Sequence, residues 1–165
     1  MRALLCLDGT NTERLAQQTF AFLNTSALHL VLLHVVDVGP SHEMERLRLR
    51  FIGMGQRGAE LLAQMAQAEQ EQGAETLATA QTALRAHWPG GAPGAEQIEA
   101  VTLHGKPEQE IVRLASAISI NLILVCNRRV LQPHEPPHPP GPKSVGHVAR
   151  FVLDHAPCPV LLLRP

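Results

Sequence analysis

The chain has 165 residues, a formal net charge of −1, 18% charged residues and only 3% aromatic residues. That length suits one domain with a sizeable core, and the near-zero charge excludes the broad basic footprint that nucleic acid or an anionic membrane selects. With one Trp, four Phe and no Tyr, the chain also lacks the usual platforms for stacking single-stranded bases.

Residues 3–7 form a short apolar run that ends at Asp8. No apolar run approaches the roughly 20 residues needed to cross a bilayer, and no cleavage pattern follows Met1, so a cytoplasmic protein is expected. Thr10 and Glu13 make a Thr-x-x-Glu capping box, which predicts a helix carrying Leu15, Phe22 and Leu23 on its apolar side. Residues 28–36 are nearly continuous in Leu and Val and read as a strand covered on both faces. The stretch 44–87 is rich in Ala, Gln, Glu, Leu and Arg and predicts one long helix, or two broken near 53–58. The Gly- and Pro-rich run 88–94 ends it.

A further strand is expected at 98–103. Pro107 then fits the first helical position, Glu108 and Glu110 place acids at the positive end of the helix dipole, and Ile111, Leu114, Ala115 and Ile118 repeat with helical spacing. Residues 122–126 predict a strand, 146–154 a helix stopped by Pro157, and Val160 to Leu163 a last strand. The fold class expected is therefore α/β, an open five-stranded parallel sheet with helices on both faces. One domain over 1–165 accommodates it, with a Pro-rich loop at about 130–144.

Several motifs carry less than they suggest. Gly53-Met-Gly-Gln-Arg-Gly58 matches GxGxxG, but a charged helical stretch precedes it where a dinucleotide fingerprint requires a strand. His134 and His138 are separated by Pro136 and Pro137, which prevent the helical turn that would align two metal ligands. His29, His34 and His104 lie in or at the ends of strands and read as satisfied structural histidines. Cys6, Cys126 and Cys158 have no CxxC spacing and sit in or beside apolar runs, so buried free thiols are expected and no metal. No Gly-x-Ser-x-Gly, HExxH or GxxxxGK[ST] motif occurs.

Ligands of an open parallel sheet bind at the carboxyl ends of the strands, where the winding direction switches. Three segments converge there: Asp8-Gly9-Thr10, Val35-Val36-Asp37 and Cys126-Asn127-Arg128-Arg129. The Asp8 carboxylate can accept from a ribose hydroxyl, or it can stabilise its own turn. A backbone group near Val36 can read an adenine edge.

Taken in order, these segments resemble the universal stress proteins. Leu5-Cys-Leu-Asp-Gly-Thr10 is similar to their opening VDGS turn, and Leu33-His-Val-Val-Asp37 to their LHVVD strand. Gly105-Lys-Pro-Glu108 with Ile111 is similar to their GxPxxxI helix entry, Asn121-Leu-Ile-Leu-Val125 to DLIVMG, and His155-Ala-Pro-Cys-Pro-Val160 to the closing HAPCPV. The resemblance covers nearly the whole chain. It implies a flavodoxin-like fold, a homodimer along the final strand, and a stress-survival role, often with bound ATP.

Members that hold ATP follow the fourth strand with Gly, two residues, Gly, about nine residues and then Gly-Ser or Gly-Thr, so that backbone and hydroxyl close on the phosphates. Here Cys126 and Arg129 stand at the first two glycines, Gly146 at the third, and His147 where the hydroxyl belongs. The 16 residues between Arg129 and Gly146 include Pro133, Pro136, Pro137, Pro139, Pro140 and Pro142, each of which removes a backbone N–H that a phosphate cradle needs. A degenerate nucleotide crevice made by Asp8, Gly9, Val36, Cys126, Arg129, Gly146 and His147 follows. A charge-based substitute would use Arg128, Arg129, Lys143 and His147.

The resulting expectation is a non-enzymatic stress-response module, acting as a homodimer and through partner proteins, with no cofactor required. The competing expectation is an ATP-binding regulator or slow ATPase using the altered loop. An enzymatic reading by analogy with adenine-nucleotide hydrolases or transferases fails on the absence of their HxGH and SGGxDS signatures. The PxxP spacing at Pro137–Pro140 and Pro139–Pro142 suits an aromatic groove, and equally a stiff surface loop. The run Val160 to Leu163 would be an unpaired edge in a monomer, which favours the dimer.

Overall fold

The computed structural model describes residues 1–24, 27–37, 56–91, 97–126 and 145–163, apart from the side chains of 14, 56–59, 61 and 62. Five strands and four helices lie within them: β1 (Arg2–Leu7), α1 (Thr12–Phe22), β2 (His29–Asp37), α2 (Gln56–Ala86), β3 (Ile98–Gly105), α3 (Pro107–Ala117), β4 (Leu122–Cys126), α4 (His147–His155) and β5 (Val160–Leu163). The strands form one sheet in the order β3-β2-β1-β4-β5, and every pairing is parallel. Leu4 of β1 pairs with Val31 on one side and Ile123 on the other. The sheet therefore winds outward in two directions from β1, and the switch falls between β1 and β4.

The continuous apolar runs have a direct cause. Side chains alternate across a strand, and in β1, β2 and β4 both faces are covered. Leu5, Leu7, Leu30, Leu32 and Leu124 pack with Leu15 of α1 and Leu77, Ala80 and Leu84 of α2. Leu4, Val31, Leu33, Ile123 and Val125 pack on the opposite face with Ile111 and Ala115 of α3 and Ala149 and Val152 of α4. Each fully buried Leu stabilises the fold by about 1.5–3 kcal/mol before entropy is counted.

Local structure departs from the sequence expectation in three places. The α1 entry is not a Thr10–Glu13 capping box: Asn11 is the N-cap without a side-chain cap bond, and the Thr10 hydroxyl donates to Asp8 instead. Phe22 is 62% exposed rather than on the apolar side, because it ends the helix where Leu23, 8% exposed, turns inward. The expected helix of 44–87 is present as α2 from Gln56 to Ala86 and includes Gly58; Gly53 and Gly55, where a break was the alternative, lie outside the described residues. His29 and His104 are exposed, and Nδ1 of His34 is buried with no hydrogen-bond partner among the described residues, so burial with satisfied ring nitrogens is not seen at any of the three.

The helix α2 spans 31 residues, about 46 Å at 1.5 Å per residue. Its carboxyl half supplies the core contacts, whereas residues 63–72 are exposed except for the intermediate Glu69. Midway along it, Gly73 passes so close to β2 that a Cβ there would lie 2.8 Å from Cδ2 of His34. The helix ends before Trp88, whose ring meets Phe20 of α1 edge-on with centroids 5.1 Å apart. Among the described residues, no helix is long and apolar enough to cross a membrane.

Candidate functional site

The carboxyl ends of β1, β2 and β4 open into a cavity of about 640 Å³, lined also by the starts of α3 and α4. That volume is in the range of small-ligand sites. Its polar lining includes Asp8, Asn11, His34, Asp37 and His147, and its floor includes Cys6, Val125 and Cys126.

The turn after β1 is tied by its own side chains. Asp8 Oδ1 accepts from the Thr10 N–H at 2.8 Å and from the Thr10 hydroxyl at 2.9 Å. Asn11 is 7% exposed; its Oδ1 accepts from the Asp8 N–H at 3.2 Å and its Nδ2 donates to the Cys6 carbonyl, also at 3.2 Å. Gly9 completes the turn at φ +82°, a left-handed conformation that other residues enter at a cost. Of the two roles open to Asp8, the turn takes Oδ1. Its second oxygen accepts no bond among the described residues, and the residue is exposed along the cavity.

On the opposite wall, Gly146 at φ +83° is the N-cap of α4 and supplies no side-chain cap. The first bond of the helix is from the Arg150 N–H to the Gly146 carbonyl. The N–H groups of His147, Val148 and Ala149 precede it and have no helical acceptor, and all three residues line the cavity. An anion placed there meets donors and the positive end of the helix dipole. Across from this start, Glu108 on the first turn of α3 puts Oε1 3.7 Å from Nε2 of His147.

Burial raises the Cys6 thiol well above its ordinary range, with a smaller contribution from the Cys126 thiol; Cys158 is also raised by burial. None of the three forms a disulfide, and they are half-buried rather than fully enclosed. Among the described residues, no group of three or more His, Cys, Asp or Glu is arranged to hold a metal ion. A second hollow of about 320 Å³ lies at the opposite end of the sheet, against Arg2, His29 and Glu99.

Of the residues singled out from sequence, Asp8, Cys126, Gly146 and His147 meet at the cavity. Gly9 stands behind it, its Cβ position 3.5 Å from the Thr76 hydroxyl. Val36 does not line it: its side chain is 7% exposed, and the strand presents His34, Val35 and Asp37 instead. Arg128, Arg129, Lys143 and the Pro-rich loop lie outside the described residues. Sequence reading missed Asn11, Val148 and Ala149, and assigned Glu108 only a dipole role. Asn11 had a local signal, since an Asn three residues after the turn Asp can bond back to it; the others are set by how α3 and α4 pack.

The universal stress protein family model matches residues 1–164. The chain is a member of that family. Its fold is similar to that of the hypothetical protein MJ0577, at 18% identity and a TM-score of 0.69, covering 99% of this chain and 95% of that one. It is similar also to the universal stress protein from Archaeoglobus fulgidus in complex with dAMP, at 16% identity and a TM-score of 0.59 over 98% and 96% of the chains. A family protein from Arabidopsis thaliana with AMP bound shares 17% identity and a TM-score of 0.54 over 99% and 91%. At these identities the likeness is one of fold. No curated protein matches the chain in sequence.

Proposed function

We propose that this universal stress protein is a non-enzymatic regulatory module that binds an adenine nucleotide in the crevice at the switch point and works as a homodimer. One observation carries the reading: the 640 Å³ cavity runs from the carboxylate of Asp8 to the start of α4, where Gly146 supplies no side-chain cap. That arrangement offers a carboxylate acceptor for ribose hydroxyls and backbone donors for phosphate. The dAMP and AMP complexes of its structural relatives support the same ligand class. The non-enzymatic part rests on chemistry, because no nucleophile with an adjacent base stands at the cavity among the described residues. ATP is the alternative ligand, held with help from Arg128, Arg129 and Lys143.

The homodimer reading rests on β5. It pairs only with β4 among the described strands, Val160, Leu161 and Leu162 are half-buried, and a short apolar edge of this kind is ordinarily covered. Light scattering is expected to give twice the chain mass of 17.9 kDa; a single-chain mass at micromolar concentration refutes the dimer. For the nucleotide, calorimetric titration with AMP is expected to saturate, with affinity falling about tenfold or more in Asp8→Ala. Heat-silent titration at millimolar AMP refutes the binding reading, and sustained ATP hydrolysis removed by Asp8→Ala refutes the non-enzymatic one.

A further inference from the structure

We infer that β3 is a second docking edge whose partner is β3 of another copy of this chain, paired antiparallel about a twofold axis at Thr102. The contact lies at the opposite edge of the sheet from β5 and does not depend on the β5 dimer.

The strand pairs with β2 through all eight of its residues, Ile98 to Gly105, and no other described strand lies on its outer side. An edge of that length presents a row of unpaired backbone groups, and chains that must keep it apart blunt it with Pro, a bulge or repeated charge. β3 carries one charged residue, Glu99, and no Pro, and its register with β2 runs without a break. Ile98 packs toward α1 and α2, while Val101 and Leu103 pack toward α3 and α4. Alternation places Ala100, Thr102 and His104 on the α2 side, where all three are exposed. Strands lie about 4.8 Å apart, so helices over the two β2 strands of a joined sheet would stand roughly 14 Å apart. That clears the roughly 8–10 Å at which packed helices touch.

The side chains select the register. A twofold axis normal to the sheet keeps each face on its own side, so residues opposite one another must share a face. An axis at Val101 would set Glu99 against Leu103 of the second copy, and Ile98 against His104. An axis at Thr102 instead sets Val101 against Leu103 twice and Thr102 against itself, both favourable cross-strand pairs, with Ala100 against His104. Charge agrees. Glu99 is 55% exposed even with Arg2 of its own chain at 3.4 Å, and in this register it meets Gly105 of the second copy, next to the exposed Lys106. Glu110, which packs against Gly105, is itself held by Arg113. Each strand thus has an acid near its start and a net basic end, and antiparallel pairing joins these opposites twice. The exposed polar residues on the α2 side make the contact weaker than the apolar β5 edge.

Sedimentation equilibrium of the full chain tests it. Wild type is expected to hold the β5 mass at micromolar concentration and to rise at least twofold above it, with a midpoint on the order of 100 µM. Thr102→Lys sets two like charges face to face on the axis and is expected to raise that midpoint about tenfold or more, leaving the micromolar mass unchanged. Thr102→Cys treated with glutathione disulfide is expected to give a covalent dimer above the wild-type background on non-reducing electrophoresis, whereas Val101→Cys, opposite Leu103, is not. A flat mass up to about 1 mM, an equal rise in Thr102→Lys, or equal cross-linking of the two cysteine variants overturns the assignment. Loss of the micromolar dimer itself in Thr102→Lys would support the β3 contact and overturn the β5 one.

Discussion

Gly73 and His34 form a contact whose energetic sign can be reversed by design. In the interior of a helix, Gly→Ala ordinarily stabilises by about 1 kcal/mol, because alanine restricts the unfolded chain and suits the helix. At position 73 the added methyl would lie 2.8 Å from Cδ2 and 3.2 Å from Nε2 of His34, inside the distance at which carbon atoms attract. Forcing a ring or a backbone to yield in a packed layer costs about 1–3 kcal/mol. Gly73→Ala alone is therefore expected to lower stability by up to about 2 kcal/mol, the clash less the propensity gain. In a His34→Ala background the obstacle is gone, and the same substitution is expected to raise stability by about 1 kcal/mol. Urea unfolding of the four proteins closes the cycle, with a coupling of about 1–3 kcal/mol. If Gly73→Ala stabilises equally in both backgrounds, the helix can slide away from β2 and the glycine is not there to admit the ring.

Three further outcomes follow from local chemistry. The raised Cys6 thiol stays protonated in the folded chain while the unfolded chain ionises above about pH 8.5, so this contribution is intact below that pH and is lost as pH rises. Between about pH 9 and 10.5 wild type should lose about 1.4 kcal/mol per pH unit more than Cys6→Ala; parallel curves from urea unfolding would contradict it. Phe20→Leu removes the edge-on ring contact with Trp88, the single Trp of the chain. It is expected to cost about 0.5–1.5 kcal/mol and to shift the folded-state fluorescence, and an unaltered emission spectrum would show that the contact is not kept in solution. Gly146→Ala puts a Cβ at φ +83°, with an expected loss of about 1–2 kcal/mol together with weakened AMP binding; unchanged AMP affinity would show that the helix start does not meet the phosphate.

The sheet was legible because burial on both faces writes Leu and Val at consecutive positions, as at Leu30 to Leu33, and no solvated strand has reason to do so. Helix α3 was legible for the complementary reason, since Pro107, Glu108 and the spacing from Ile111 obey purely local rules. The α1 entry was not, because Thr10 had two acceptors within reach and chose Asp8, a competition that spacing does not decide. The site was half legible. Asp8 and Gly146 belong to turns whose chemistry is local, whereas Glu108 meets His147 only through the packing of α3 on α4, and the two positions lie far apart in sequence. The side chain of Val36 is buried, but its neighbours Val35 and Asp37 reach the cavity where the strand ends.

The winding of the sheet also governs how the chain must be made. The first strand synthesised, β1, becomes the centre of the sheet, and one flank waits for β4; the bond from the Arg2 N–H to Asn121 Oδ1 joins residues 119 positions apart. At about 5–20 residues per second on the ribosome, the β1–β2 pair, complete at Asp37, presents a bare apolar edge for roughly 4–18 seconds before β4 at Leu122–Cys126 is made. A chain of this topology is exposed to aggregation chiefly during synthesis, while that nascent edge is unpaired.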